Sequence, residues 1–239
     1  MENIIAKAIE AHGGLDRWKK FKTVHASVSS GGHFFDLVHV PQDPTPRNAM
    51  GWLHKERLCF RPFGAPDRHA DFIPNQVVVK TDGGETVLER RGTPDELHHH
   101  IKEDNWGPLN GATFTGYALW TYLTTPFFIA MPGFQIEEIE PWQEKNEKWY
   151  GVKVEFPSEI LSHSRVQYFY FGNDFLLRRH DYYLDVAGEF WATQYVHDFV
   201  DADGIKLPTK RRAYKRGDDG HPLTDQLMIW IDLSEIKFM

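Results

Sequence analysis

HSRVQYFYFGNDFLLRRHDYYLDVAGEFWATQYVHDFVDADGIKLPTKRRAY, residues 163–214, consists of four runs rich in aromatic and β-branched side chains. The runs, 163–171, 175–186, 190–200 and 205–214, are separated by Gly172-Asn173-Asp174, Ala187-Gly188 and Asp201-Ala202-Asp203-Gly204, the pattern of an antiparallel meander. With Asn173-Asp174 and Ala187-Gly188 as two-residue turns and an even register at the third, alternation predicts one face carrying His163, Gln167, His180, Tyr182, Thr193, Tyr195, His197, Lys210 and Arg212. Phe169, Phe171, Leu176 and Leu184 share that face, which favours a pocket lining over a fully solvated surface. The opposite face receives Val166, Tyr168, Tyr170, Leu177, Arg179, Asp181, Tyr183, Gln194, Val196, Asp198 and Arg211. A one-residue slip reverses every position beyond it, and Pro208 is one place where a bulge fits.

Outward from the meander, Ile4, Ile5, Ala8 and Ile9, then Leu15, Trp18 and Phe21, recur at near-helical spacing around Gly13-Gly14. They predict a helix, a glycine break and a short second helix. Short strands are expected over 25–30, 33–40, 49–61, 76–81 and 85–91, the last two joined by Asp82-Gly83-Gly84, with loops over 41–46 and 62–74. Residues 113–130 break this texture: Tyr117, Trp120, Tyr122, Leu123, Phe127 and Phe128 form an aromatic band on a helix ending near Pro126. Strands are expected again over 151–156 and 227–233.

At 239 residues with 41% hydrophobic side chains, the chain suits one domain, residues 1–239. A net charge of −7 argues against a nucleic-acid partner, although five of the seven residues 210–216 are basic. Cys59 is the only cysteine, so neither a disulfide framework nor a thiolate metal cluster is expected. The charges in Met1-Glu2-Asn3-Ile4-Ile5-Ala6-Lys7 interrupt any secretory apolar core, and the stretch 117–134 contains Pro126 and Pro132 and falls short of a membrane span. A cytoplasmic protein with no integral membrane segment is the expectation, periplasmic only if a signal peptide has been removed.

Ala11-His12-Gly13-Gly14-Leu15 and Trp18 on an N-terminal helix, a first strand ending at Gly31-Gly32, and a long antiparallel sheet interrupted by an aromatic helix together resemble the LolA/LolB/VioE-like superfamily. The resemblance implies a mainly β fold: a single curved antiparallel sheet forming an open half-barrel around an apolar cavity, plugged by the internal helix. Carrier members of that superfamily hold acyl chains in the cavity, and its VioE-like branch converts an aromatic intermediate without a cofactor.

Two functions follow. The first is a binding or carrier protein for a small hydrophobic or aromatic ligand, with Trp120, Tyr122, His163, Gln167 and Arg212 as ligand-binding candidates. The second is a cofactor-independent lyase, isomerase or cyclase in which His180 or His197 transfers protons, Tyr182 or Tyr195 donates, and Arg212 binds a carboxylate or enolate. Arg179, Asp181 and Arg211 read as a cross-strand charge network. The run His98-His99-His100 supplies at most two metal ligands, and an exposed turn flanked by Asp95, Glu96, Lys102, Glu103 and Asp104 is preferred, so no metal is expected. GxGxxG, GxxxxGK[ST] and GxSxG are absent from the sequence, so no nucleotide cofactor is implied.

Overall fold

The structure, a computed structural model, describes residues 3–102, 105–186 and 188–239. Glu103 and Asp104, beside the histidine run, and Ala187, in the expected two-residue turn, lie outside the described residues, as do Met1 and Glu2.

Two short helices come first, α1 (Ile4–Ala11) and α2 (Leu15–Trp18). Asn3 caps α1 by accepting from the Ala6 N–H at 2.8 Å. The expected glycine break is real and has a packing cause: a Cβ at Gly13 would lie 2.2 Å from the Gly204 carbonyl oxygen. His12 pins the break to the sheet. Its Nδ1 donates to the Ala8 carbonyl at 2.7 Å, its Nε2 faces the Leu177 N–H at 3.4 Å, and its carbonyl accepts from Lys206.

The chain continues through β1 (Thr23–Gly31), α3 (His33–Leu37), β2 (Arg47–Trp52), β3 (Leu58–Arg61), β4 (Arg68–Ile73), β5 (Gln76–Thr81) and β6 (Thr86–Arg91). Then come α4 (Pro94–Ile101) and α5 (Pro108–Thr124), followed by β7 (Gln135–Glu144), β8 (Glu147–Glu155), β9 (Val166–Phe171), β10 (Leu177–Leu184), β11 (Phe190–Ala202), β12 (Ile205–Arg216) and β13 (Pro222–Phe238). All thirteen strands form one antiparallel sheet in the order β6-β5-β4-β3-β2-β1-β13-β12-β11-β10-β9-β8-β7. The central pair β1–β13 joins two meanders, and the edges β6 and β7 do not pair, so the half-barrel stays open. Among the described residues, no helix is long and apolar enough to cross a membrane.

Several local expectations are corrected. Within the expected strand 33–40, His33–Leu37 form α3, and 49–61 split into the hairpin β2–β3. The supposed loop 62–74 contains β4. The histidine run lies on α4, which opens with a Thr93–Glu96 capping box, rather than in an exposed turn.

The helix α5 plugs the half-barrel. Thirteen of its 17 residues are buried, so it is apolar on nearly every side, as a helix enclosed by a sheet must be. It lies against β2–β6, and at Gly116 the approach is closest, because a Cβ there would sit 2.3 Å from Cγ of Phe72 on β4. Gly116→Ala is therefore expected to destabilise by about 1–3 kcal/mol through overpacking, read as a lowered urea midpoint with an unchanged slope; a midpoint equal to the parent's contradicts this packing.

Candidate functional site

The meander places its side chains by register. The β9–β10 hairpin is wider than two residues, with Phe171 opposite Leu177, and a bulge at Arg178 adds a second shift that restores the expected parity. His163, Gln167, His180 and Tyr182 therefore all point toward α5 as expected. The β10–β11 hairpin pairs Leu184 with Phe190 rather than Val186 with Glu189, a slip of one. Residues beyond it change sides: Thr193, Tyr195, His197, Lys210 and Arg212 move to the outer face, and Gln194, Val196 and Arg211 move inward, while Asp198, at a positive φ of 55°, stays exposed and pairs with Lys210 at 2.7 Å.

The structure brings together Tyr122, His163, Gln167, His180 and Tyr182 and sets His197, Tyr195 and Arg212 apart from them. His197 is exposed, the Tyr195 hydroxyl donates to Glu144 at 3.0 Å, and Arg212 pairs with Asp232 at 2.7 Å. Trp120 belongs to the core: its Nε1 donates to the Trp52 carbonyl at 2.8 Å and its ring packs on Phe128. On the outer face Arg179 and Asp181, two residues apart on β10, form a bidentate pair at 2.7 and 2.6 Å within one strand rather than across strands, roofed by the Trp142 ring. The second arginine there is Arg216, 3.3 Å from Asp181, and not Arg211.

Inside, Arg211 is 1% exposed and has no carboxylate within ion-pair distance among the described residues. Its guanidinium donates to Gln194 Oε1 at 2.9 Å and to the Tyr122 carbonyl at 2.8 Å, and lies 4.5 Å from the Tyr122 ring. A cation is thereby held at the C-terminal turn of α5, the negative end of its dipole. The Tyr122 hydroxyl lies 2.7 Å from His163 Nε2 and 3.2 Å from the Tyr182 hydroxyl, which Gln194 Nε2 reaches at 3.4 Å. His180 donates through Nε2 to Gln167 Oε1 at 2.6 Å and stacks on Phe169. Burial pushes His163 down to about 3 and His180 well below its ordinary range, so both rings are neutral at pH 7. It raises Tyr122 and Tyr182 and lowers Arg211 to about 10.

Beside this polar interior runs the largest of the cavities described, a groove of about 680 Å³ lined by Phe35, Phe63, Trp106, Gly111 and Thr115 with Pro62, Pro66 and Pro108. Phe35 and Thr115 also line a narrow cleft of about 30 Å³ that reaches Tyr122, Ile229 and Ile231. Pro108, Gly111, Thr115, Ala118 and Tyr122 follow one another at helical spacing, so one stripe of α5 floors both spaces. A Cβ on Gly111 would meet nothing within 4 Å. The groove residues were not among the sequence candidates. The available signal was the run of small residues on an otherwise bulky helix and the Pro-Phe-Gly-Ala-Pro motif at 62–66.

No family model matches the chain, and no curated protein matches it. Among solved structures, a LolA superfamily protein from Nitrosomonas europaea superposes with a TM-score of 0.56 at 13% identity, over 99% of this chain and 92% of that one. A domain described as an outer membrane lipoprotein-sorting protein from Vibrio parahaemolyticus gives 0.58 at 8% identity, over 99% and 91%. At such identities the likeness is one of fold, and the chain has the open half-barrel of LolA superfamily proteins.

The buried imidazoles make stability depend on pH. His12 is likewise held at about 4 by burial, so below the ordinary value of 6.5 the unfolded chain binds protons that folded His12, His163 and His180 refuse. Their contribution is complete above that value and lost as pH falls. Glu56 acts in the opposite sense, because burial raises its carboxyl well above 4.5 and stability is lost as pH rises past that point. Three groups outweigh one. His180→Gln should reduce the slope of unfolding free energy between about pH 5 and 6 by about 1.4 kcal/mol per pH unit, and a slope equal to the parent's means that His180 is not held neutral.

Proposed function

We propose that the protein binds a lipophilic or aromatic small molecule in the groove between α5 and the open half-barrel, as a binding or carrier protein acting as one domain over residues 1–239. One observation carries it: a stripe of small residues on a buried helix floors an apolar groove of about 680 Å³, lined by Phe35, Phe63 and Trp106, that leads inward toward Tyr122. Ligand sites of roughly 300–1,000 Å³ with predominantly apolar and aromatic walls have this character. The shared fold supports the same reading, since one of the two solved structures compared is described as a lipoprotein-sorting domain. Of the candidates from sequence, Tyr122 borders the cleft, whereas Trp120 and Gln167 line neither the groove nor the cleft.

A proton-transfer role would fall to His163, His180 and Tyr182 and not to His197, Tyr195 or Arg212, which the sheet separates from them. His180 and Tyr182 border neither the groove nor the cleft, which favours binding over turnover.

Titration with N-phenyl-1-naphthylamine, a fluorescent lipophile, tests the assignment. Gly111→Leu should weaken binding by about tenfold or more, equivalent to about 1.4 kcal/mol, by filling the groove. Gly111→Ala should raise stability by about 0.5–1 kcal/mol, since the helix gains an alanine in open space. Unchanged affinity in Gly111→Leu places the ligand elsewhere.

A further inference from the structure

A second pocket, of about 210 Å³, shares no lining residue with the groove or the cleft. It opens between the start of α4 and the segment that joins β8 to β9, with Phe156, Ile160 and Leu161 as apolar wall and His98, Asp185 and Ser164 as polar wall. Asp185 is already committed, accepting from His98 Nε2 at 2.8 Å and pairing with Lys102. Ser164 is committed too, since its hydroxyl donates to the Val166 carbonyl. His163 also lines the pocket, is 1% exposed, and has no hydrogen-bond partner for Nδ1 among the described residues.

The interior network fixes which proton that nitrogen carries. Arginine only donates, so Gln194 turns Oε1 to Arg211 and is left to donate from Nε2 to the Tyr182 hydroxyl. The order in which each hydroxyl both accepts and donates runs the same way, Tyr182 to the Tyr122 oxygen at 3.2 Å and Tyr122 to His163 Nε2 at 2.7 Å, whereas the reverse order leaves the Tyr182 proton without an acceptor. A neutral imidazole that accepts at Nε2 carries its hydrogen on Nδ1. The chain of donors that starts at Arg211 thus ends in one unsatisfied N–H, and a buried donor without an acceptor is unfavourable.

We propose that this pocket is a second ligand site, which takes a small molecule bearing an uncharged carbonyl oxygen and holds it through His163 Nδ1–H. The acceptor is uncharged because the donor is neutral and buried, Asp95 and Asp185 line the same pocket, and the arginine at its rim, Arg165, already pairs with Glu155 at 3.1 Å, so a carboxylate brought there would lose its hydration against two like charges. An ester, ketone or amide with a short apolar arm satisfies both the N–H and the Phe156, Ile160 and Leu161 wall.

The test uses the full chain labelled with ¹⁵N-histidine and ¹⁵N-tryptophan and long-range ¹H–¹⁵N spectra at neutral pH. His163 should appear as the Nδ1–H tautomer. Ethyl acetate and N-methylacetamide should shift its Nδ1–H and leave the Trp106 indole N–H of the groove in place, whereas sodium acetate should shift His163 at least about tenfold more weakly. Ser158→Trp, a change at an exposed rim residue, should abolish the response to the esters and amides while lipophile binding in the groove persists. A proton found on Nε2, equal responses to acetate and its ester, or no shift at His163 with any of these probes each overturns the proposal. None of these outcomes bears on the groove, which the fluorescent lipophile reads separately.

Discussion

The burial of α5 is the constraint from which the rest of the architecture follows. A 17-residue helix with thirteen buried residues cannot lie on a surface, and only a sheet that curls around it removes that much apolar area from water. Pairing the first strand with the last makes this possible, since β1–β13 sits mid-sheet and each meander extends outward from it to cover one side. Burial also forbids unsatisfied carbonyls at the end of the helix. Thr124 and Thr125 turn their hydroxyls back to Trp120 and Thr121, while Arg211 reaches across from the sheet to Tyr122.

Arg211 has consequences beyond that carbonyl. As a donor-only group it turns Gln194 so that Oε1 meets the guanidinium and Nε2 the Tyr182 hydroxyl, and it stands at the head of a buried network that runs through Tyr182 and Tyr122 to His163, just before β9. The surrounding dryness keeps the imidazoles neutral. The same helix that supports this polar interior leaves its small-residue stripe uncovered near its N-terminus, and the apolar groove is the space so created. Packing on one side of α5 and openness on another follow from where its bulky and small residues fall.

The antiparallel meander, the helix–glycine–helix opening and the enclosed aromatic helix were legible because each has a strong local pattern. The faces of the meander were legible only as far as Leu184. Beyond it, Leu184 pairs with Phe190 where a two-residue turn would pair Val186 with Glu189, and residue alternation contains no signal for turn width. Arg211 and Gln194 were therefore expected on the wrong side, with Tyr195, His197 and Arg212 expected inside. The acidic strand β7 was not among the expected strands because an edge strand needs no apolar face, and Glu137, Glu138 and Glu140 interrupt any alternation there. Trp52 and Leu58 looked like parts of one strand because the intervening turn contains neither glycine nor proline. The groove was hidden for a related reason: Phe35 sits on a five-residue helix and Phe63 in a proline-rich turn, and only tertiary packing brings them to Gly111.

Native mass spectrometry of the protein purified from its own host, followed by denaturing extraction, tests the central claim most directly. The account predicts a lipophilic molecule that stays with the folded chain and is released when α5 is freed by unfolding. A protein that emerges empty and takes up nothing from a total lipid extract would contradict it.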